Sequence, residues 1–330
     1  MRLSVLDQSV AIAGRPHEQS IRNTVALAQH CETLGYERFW VSEHHNHPTI
    51  VGTAPEIVMA AIAATTKSIR IGSAGIMLPH YSAFKVAEVF RVLDALAPGR
   101  IDMGLGRAPG SDGRTAFALN PMANERPEHF PADVRDLLAW VHNEPLVNGH
   151  PFAAVKAFPQ GATAPEVWIL GSSDYGAQVA AIFGLPYCYA WFFSDHGGGE
   201  RAIELYKKTY RPSARHPTPR SGLCVAALAA PTAEEAQYHL TPRVLNRIRR
   251  DRGQLGPLLS AEDAAKELER EDQARIEKIR RDAFVGTGPD VMARIVELKD
   301  RVGVDEMAVV TWCYDEEARR QSYTELAKVF

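Results

Sequence analysis

The segment Phe39-Trp40-Val41-Ser42-Glu43-His44-His45-Asn46 passes from apolar and aromatic residues directly into a carboxylate and two imidazoles. Read as a buried strand of a parallel sheet, it delivers Glu43 and His44 to the strand's carboxyl end, where (β/α) folds place their chemistry. An imidazole there suits proton transfer near neutral pH. The alternative is a strand cap whose polar residues only satisfy loop hydrogen bonds. The run His44-His45-Asn46-His47 also invites a metal site. Successive strand residues point to opposite faces, so His44 and His45 diverge, and no HExxH pair or carboxylate cluster supports that reading. A Ser-His-Asp hydrolase is no better supported, because the chain lacks a GxSxG elbow.

Three further strand ends carry residues suited to a ligand. Gly104-Leu105-Gly106-Arg107-Ala108-Pro109-Gly110 has GxGxxxG spacing rather than the GxGxxG of dinucleotide folds, and no helix opens directly behind it. It reads better as a glycine-lined strand end projecting Arg107 into a barrel mouth, where a guanidinium fork suits a phosphate. Gly171-Ser172-Ser173-Asp174 leads from an apolar strand into a helix. Such a helix start offers free N–H groups to an anion, with N-capping by Ser172 or Ser173 as the plain alternative. Gly72-Ser73-Ala74-Gly75 sets four small residues in a row, which lets a flat ligand approach the backbone, or simply makes a turn. Together these features suggest a flavin mononucleotide pocket.

Eight β-rich runs must position these residues: 3–6, 38–41, 69–73, 101–105, 167–170, 187–190, 223–229 and 307–311. Helical stretches lie near 20–34, 54–65, 84–96, 132–142, 174–183, 200–209, 233–248, 289–302 and 316–329. A capping box with an early proline is expected at Thr53-Ala54-Pro55-Glu56, and helix stops at Gly35 and Gly184. Continuous apolarity in Val167-Trp168-Ile169-Leu170 indicates strands buried on both faces. The alternation fits an α/β fold of the (β/α)8 TIM-barrel type, as one domain over 1–330, better than an open sheet. Two excursions interrupt it, near 106–131 after the fourth strand and near 249–286 between the seventh and eighth. The second is highly charged and reads as a solvated helix face, with a lid as the alternative.

The 330 residues are 45% hydrophobic and 23% charged, with a formal net charge of -3, an ordinary globular composition without electrostatic pull toward nucleic acid or membrane. No apolar run approaches the ~20 residues of a membrane span, and the N-terminus turns polar too soon for a signal peptide. Cys31, Cys188, Cys224 and Cys313 are scattered and read as reduced apolar fillers of a cytoplasmic protein.

Taken together, Gly35-Tyr36, Phe39 through His45, Ile71-Gly72-Ser73-Ala74-Gly75, Leu93-Asp94-Ala95-Leu96, Pro98-Gly99-Arg100-Ile101, Gly104-Leu105-Gly106-Arg107 and Asp305-Glu306-Met307 resemble the bacterial luciferase-like family of flavin-dependent monooxygenases, over nearly the whole chain. The chain is similar to a single-chain branch bearing Gly-Arg-Ala-Pro-Gly after the fourth strand. The resemblance implies a barrel, usually dimeric through the helices near 54–65 and 84–96, using reduced FMN from a separate reductase. It implies that molecular oxygen is activated as a flavin hydroperoxide that oxygenates a small organic substrate. His44 would be the active-site base or hydrogen-bond partner, with Glu43 beside it. Arg107 with Gly171, Ser172 and Ser173 would hold the phosphate. A cis peptide at Ser73-Ala74 or Ala74-Gly75 would pack beneath the ring, with Glu88 as a flavin-side contact. Luciferase itself has a cysteine where this chain has Gly106, so light emission from a long-chain aldehyde is not expected. Trp191-Phe192-Phe193 suit either an apolar substrate pocket or core packing. A deazaflavin-dependent dehydrogenase and a non-catalytic flavin-binding protein remain as alternatives.

Overall fold

The computed structural model describes all residues except Arg2, Pro109, 123–125 and 194–197, and the side chains of Arg126 and Pro127. Pro109 of the glycine-rich segment and part of the first excursion therefore lie outside the described residues. The strands are β1 (Ser4–Asp7), β2 (Arg38–Val41), β3 (Arg70–Ser73), β4 (Ile76–Met77), β5 (Ile101–Gly106), β6 (Glu166–Gly171), β7 (Tyr187–Ala190), β8 (Ser221–Ala229), β9 (Phe284–Gly286) and β10 (Glu306–Val310). The helices are α1 (His17–Thr33), α2 (Pro55–Thr65), α3 (Ala83–Leu96), α4 (Gly113–Leu119), α5 (Arg126–His142), α6 (Asp174–Phe183), α7 (Gly199–Thr209), α8 (Ala233–Asp251), α9 (Ala261–Leu268), α10 (Gln273–Asp282), α11 (Gly288–Val302) and α12 (Glu316–Ala327).

Eight strands pair in parallel in the order β1-β2-β3-β5-β6-β7-β8-β10, and β10 closes the barrel by pairing with β1 as well as β8. This is the expected (β/α)8 barrel. β4 follows β3 and pairs with the carboxyl end of β5, and β9 extends the wall beside β8. Alternation along each strand sorts the core. Phe39 and Val41 of β2 pack outward among the helices. Trp40 points into the lumen with Leu6, Trp168, Cys188 and Cys224, its ring 5.3 Å from that of Trp168.

The amino-terminal end of the lumen is closed by charge. Arg38 donates to Asp102 (2.7 Å) and Glu306 (3.0 Å), Arg70 donates to Asp102 (2.9 Å), and Arg220 donates to Glu166 (2.7 Å) and Glu306 (2.7 Å). The indole N–H groups of Trp40 and Trp168 donate to Asp102 and Glu166. Burial opposes ionisation of Glu166, yet Arg220, Arg38 and Arg70 hold its pKa at about 2. This floor has no counterpart in the sequence reading.

Three local expectations need correction. No Thr53 capping box forms: Ala54 takes the N-cap position without a side-chain bond, because Pro55 occupies the first helical turn. α5 begins at Arg126 and runs through Pro131, whereas the sequence suggested a start beyond that proline. Within the charged excursion near 249–286, the acidic stretch 267–272 is not one solvated helix face. It joins α9 to α10, with Asp272 capping α10, and the two helices with α8 bury a small core of Leu240, Val244, Ile248, Leu268 and Ile276. Gly184 ends α6 in the left-handed conformation (φ 61°), as anticipated, and Gly35 follows α1 with φ 81°.

Candidate active site

At the carboxyl end of the barrel two cavities meet. The first, of about 460 Å³, descends into the lumen as far as Trp40 and Cys188. The alternation that turns Trp40 inward also brings His44, four residues on, to the rim. On the facing side β3 and β5 approach closely. A Cβ on Gly104 would lie 2.1 Å from the Ser73 carbonyl oxygen, and one on Gly75 would lie 2.8 Å from that of Gly104. Only glycine permits this contact. The Ala74–Gly75 peptide is cis, one of the two positions anticipated, and both residues line the cavity. The Ser73 hydroxyl donates to the Gly104 carbonyl (2.9 Å) and accepts from its N–H (3.1 Å). Ser73 thus ties the wall together rather than facing a ligand.

Arg107 leaves the end of β5, a strand of this wall, and lays its guanidinium 4.0 Å from the ring centroid of Tyr175. Gly171, Ser172, Ser173 and Tyr175 line the same space at the start of α6. Ser173 is the N-cap residue but makes no side-chain bond to its helix, so the plain capping role is not the one it plays. An exposed guanidinium, two exposed hydroxyls and a helix N-terminus converge here, a donor set that fits a phosphate. It lies beside the small-residue wall of Ala74 and Gly75, which line the same cavity.

His44 lines both cavities. Its backbone N–H donates to the Gly52 carbonyl (3.0 Å), and its ring Nδ1 lies 3.4 Å from the Ser42 hydroxyl. Burial, then the nearby His47 and His45, lower its pKa to about 4, so the ring is neutral at neutral pH. Glu43 is fully buried on the opposite side of the strand. It accepts from the Tyr81 hydroxyl (2.6 Å) and the Met77 N–H (2.9 Å), and lies 2.7 Å from His45 Nε2. Glu43 therefore braces the β3–β4 wall instead of lining the cavity. Glu88 sits on α3, 3.4 Å from Lys85, and is among the lining residues of neither cavity.

The second cavity, of about 510 Å³, lies between the mouth and the α8–α10 excursion. It shares Gln8, His44, Phe192 and Phe193 with the first, which puts two of the three anticipated aromatics at the junction. Sequence reading missed Gln8. Its amide oxygen accepts from Trp312 Nε1 (3.0 Å), so its N–H2 is the group available to a ligand. Its place two residues beyond the inward-facing Leu6 was the one signal that could have found it.

A parallel barrel with this mouth defines a flavin-dependent oxidoreductase. The chain belongs to the luciferase-like monooxygenase family, whose sequence profile matches residues 1–306. It is 40% identical over 330 residues to an uncharacterised Bacillus subtilis protein, YwcH (99% of this chain, 98% of that one). It is 34% identical to the N-acetyl-S-alkylcysteine monooxygenase of the same organism (94% and 92%). Among solved structures it resembles apo-MsnO8, with a TM-score of 0.88 and 33% identity over 99% of this chain and 97% of that one. The fold is shared, at lower identity, with two further chains. One is the oxygenating constituent of 3,6-diketocamphane monooxygenase from Pseudomonas putida in complex with FMN (TM-score 0.71, 20% identity, covering 100% and 97%). The other is an F420-dependent secondary alcohol dehydrogenase (TM-score 0.66, 14% identity, covering 100% and 98%).

Proposed function

We propose that this protein is a two-component monooxygenase that takes up reduced FMN and transfers one atom of molecular oxygen to a small organic substrate. The observation that carries the reading is the Arg107–Tyr175 pair beside Ser172 and Ser173, on a cavity walled by Ala74–Gly75 and open toward His44. Reduced FMN, when bound, supplies the electrons that activate oxygen. Arg107, Ser172, Ser173 and the α6 start would hold its phosphate, and the small-residue wall would seat its ring. The aromatic rings of Phe192 and Phe193 would keep water from the reacting face. The Ser42 hydroxyl engages His44 Nδ1, so proton exchange with a ligand falls to Nε2, from a ring that is an effective hydrogen-bond acceptor at neutral pH. The reading includes a separate flavin reductase as electron source. It also includes a homodimer through α2 and α3, where Ile57, Val92 and Leu96 present an exposed apolar face.

The test is anaerobic titration of photoreduced FMN, followed by rapid mixing with oxygenated buffer. Bound FMN should reoxidise more slowly than free FMN, with a near-ultraviolet absorbance that outlasts free reoxidation. Arg107→Ala should weaken reduced FMN by roughly ten- to a hundredfold, the size of a lost hydrogen bond to a charged group. Unchanged affinity in that variant would falsify the phosphate assignment. Preference for a deazaflavin, with no oxygen consumed, would move the chain to dehydrogenase chemistry on the same barrel.

A further inference from the structure

Gln8 stands where the two cavities join, and the flavin reading gives it no role. Of the described residues, Gln8, His44, Phe192 and Phe193 line both cavities. Gln8 follows the last residue of β1 and is only 3% exposed. Its amide has one orientation. An indole N–H can only donate, so the end of the amide beside Trp312 Nε1 (3.0 Å) must be the oxygen. The N–H2 therefore turns away from the indole, and among the described residues the side chain has no second hydrogen-bond partner. Trp312 is itself held: it packs against Val10, Ile12 and Leu258, and the Arg243 guanidinium lies 5.3 Å from its ring centroid.

The backbone on either side of Gln8 is held as firmly. Asp7 is buried and paired with Arg319, and it accepts from the Thr24 hydroxyl (2.6 Å) and the Ser9 N–H (2.9 Å). Ser9 adopts φ 46°, a left-handed conformation costly for a residue with a Cβ, and its carbonyl accepts from the Val51 N–H (3.1 Å). A side chain fixed at both its backbone and its amide oxygen is preorganised. A buried donor without a partner is costly, and a ligand oxygen removes that cost.

We propose that Gln8 is a specificity-determining residue: its N–H2 donates to a carbonyl oxygen of the organic substrate, whose apolar part packs on Phe192 and Phe193. Sites that are mostly apolar with a few fixed polar groups discriminate strongly against a molecule lacking the matching group. That the ligand is then oxygenated rests on the monooxygenase reading; that Gln8 selects a carbonyl does not.

Acetophenone and ethylbenzene, alike in size and differing at the carbonyl, are titrated calorimetrically into the full-length protein with and without FMN. Ethylbenzene is the more hydrophobic, so an apolar cavity without a donor binds it more tightly. The unaltered protein should reverse that order. Gln8→Glu keeps an oxygen for Trp312 but presents a second oxygen in place of the N–H2. It should weaken acetophenone roughly tenfold and ethylbenzene less than about threefold. Gln8→Leu, which removes both ends of the amide, should restore the preference for ethylbenzene. Tighter binding of ethylbenzene by the unaltered protein, or no saturable binding of acetophenone, overturns the proposal whether or not the variants fold. Equal losses for the two ligands in Gln8→Glu, the mark of a merely structural role, overturn it as well. The flavin's own carbonyls are the competing acceptor. Weakened FMN in Gln8→Leu, with acetophenone unaffected, would give the bond to the cofactor and overturn its assignment to substrate. Acetophenone selection without FMN binding sinks the flavin reading alone, and FMN binding with ethylbenzene preferred sinks this one alone.

Discussion

The two ends of this barrel use the same side chains for opposite ends. At the floor, Arg38, Arg70 and Arg220 alternate with Asp102, Glu166 and Glu306, and the two lumen tryptophans donate to the carboxylates. At the mouth, Arg107 lies against an aromatic ring, with helix-start donors and hydroxyls around it and no carboxylate among the described residues lining its cavity. A guanidinium matched by carboxylates holds a structure together. One left facing a cavity is available to a ligand. This division is the one expected of (β/α)8 barrels, whose lower face serves stability and upper face serves chemistry.

The largest effect that tests the comparison belongs at the floor. Arg38→Met should destabilise the protein by about 3–5 kcal/mol, because it leaves the fully buried Asp102 charge with a weaker set of partners. Chemical denaturation should show a clearly lower midpoint at pH 7. Arg107→Ala, by contrast, should leave that midpoint within about 0.5 kcal/mol, as exposed substitutions do. Equal destabilisation by the two would erase the distinction between the ends.

Acid should separate the two ends next. His44 titrates near 4 in the folded chain, below the usual 6.5, because burial disfavours its charged form. The unfolded chain takes up this proton first, so the contribution of His44 to stability is full above pH 6.5 and is lost as pH falls toward 4. One proton gives a slope of at most about 1.4 kcal/mol per pH unit. Glu166 at the floor has its folded pKa lowered to about 2 from the usual 4.5, so its contribution is present above 4.5 and is lost only as pH falls through about 2. His142 shifts the same way as His44, and for burial first, so the measurement is a difference. The stability gap between wild type and His44→Gln should narrow between pH 6.5 and 4 and then level off. A gap independent of pH across that window would place His44 in a wetter setting than the one described.

Much of the scaffold was legible in the sequence. All eight barrel strands lie within two residues of the positions read from their apolar runs, because strands buried on both faces have few alternatives. His44, Arg107, Ala74, Gly75 and the Gly171–Ser173 turn were found at strand ends and do line one cavity. The errors share a cause. Glu43 and Ser73 sit at the right end of the right strands, but alternation turns Glu43 away from the lumen, and Ser73 is consumed by Gly104. Position along a strand was readable, whereas the use of each polar atom was not. The floor was invisible for another reason. Each of its charges sits within one residue of a strand start, and Arg38 meets Glu306, 268 positions along the chain, only when the strands close into a ring.

The smallest effect refines the mouth itself. The phenol ring of Tyr175 lies against Arg107, and a cation over a ring at a partly exposed site contributes about 0.5–1 kcal/mol. Tyr175→Leu keeps apolar bulk beside the guanidinium but removes the attraction of the ring face. It should weaken reduced FMN by roughly two- to fivefold, well short of the loss from Arg107→Ala. The double variant Arg107→Ala with Tyr175→Leu decides what the ring does. If Tyr175 acts only by positioning Arg107, the double variant should bind FMN no more weakly than Arg107→Ala alone. Additive losses would mean that Tyr175 touches the cofactor directly, and the grip would then be an arginine and a tyrosine acting separately on the ligand.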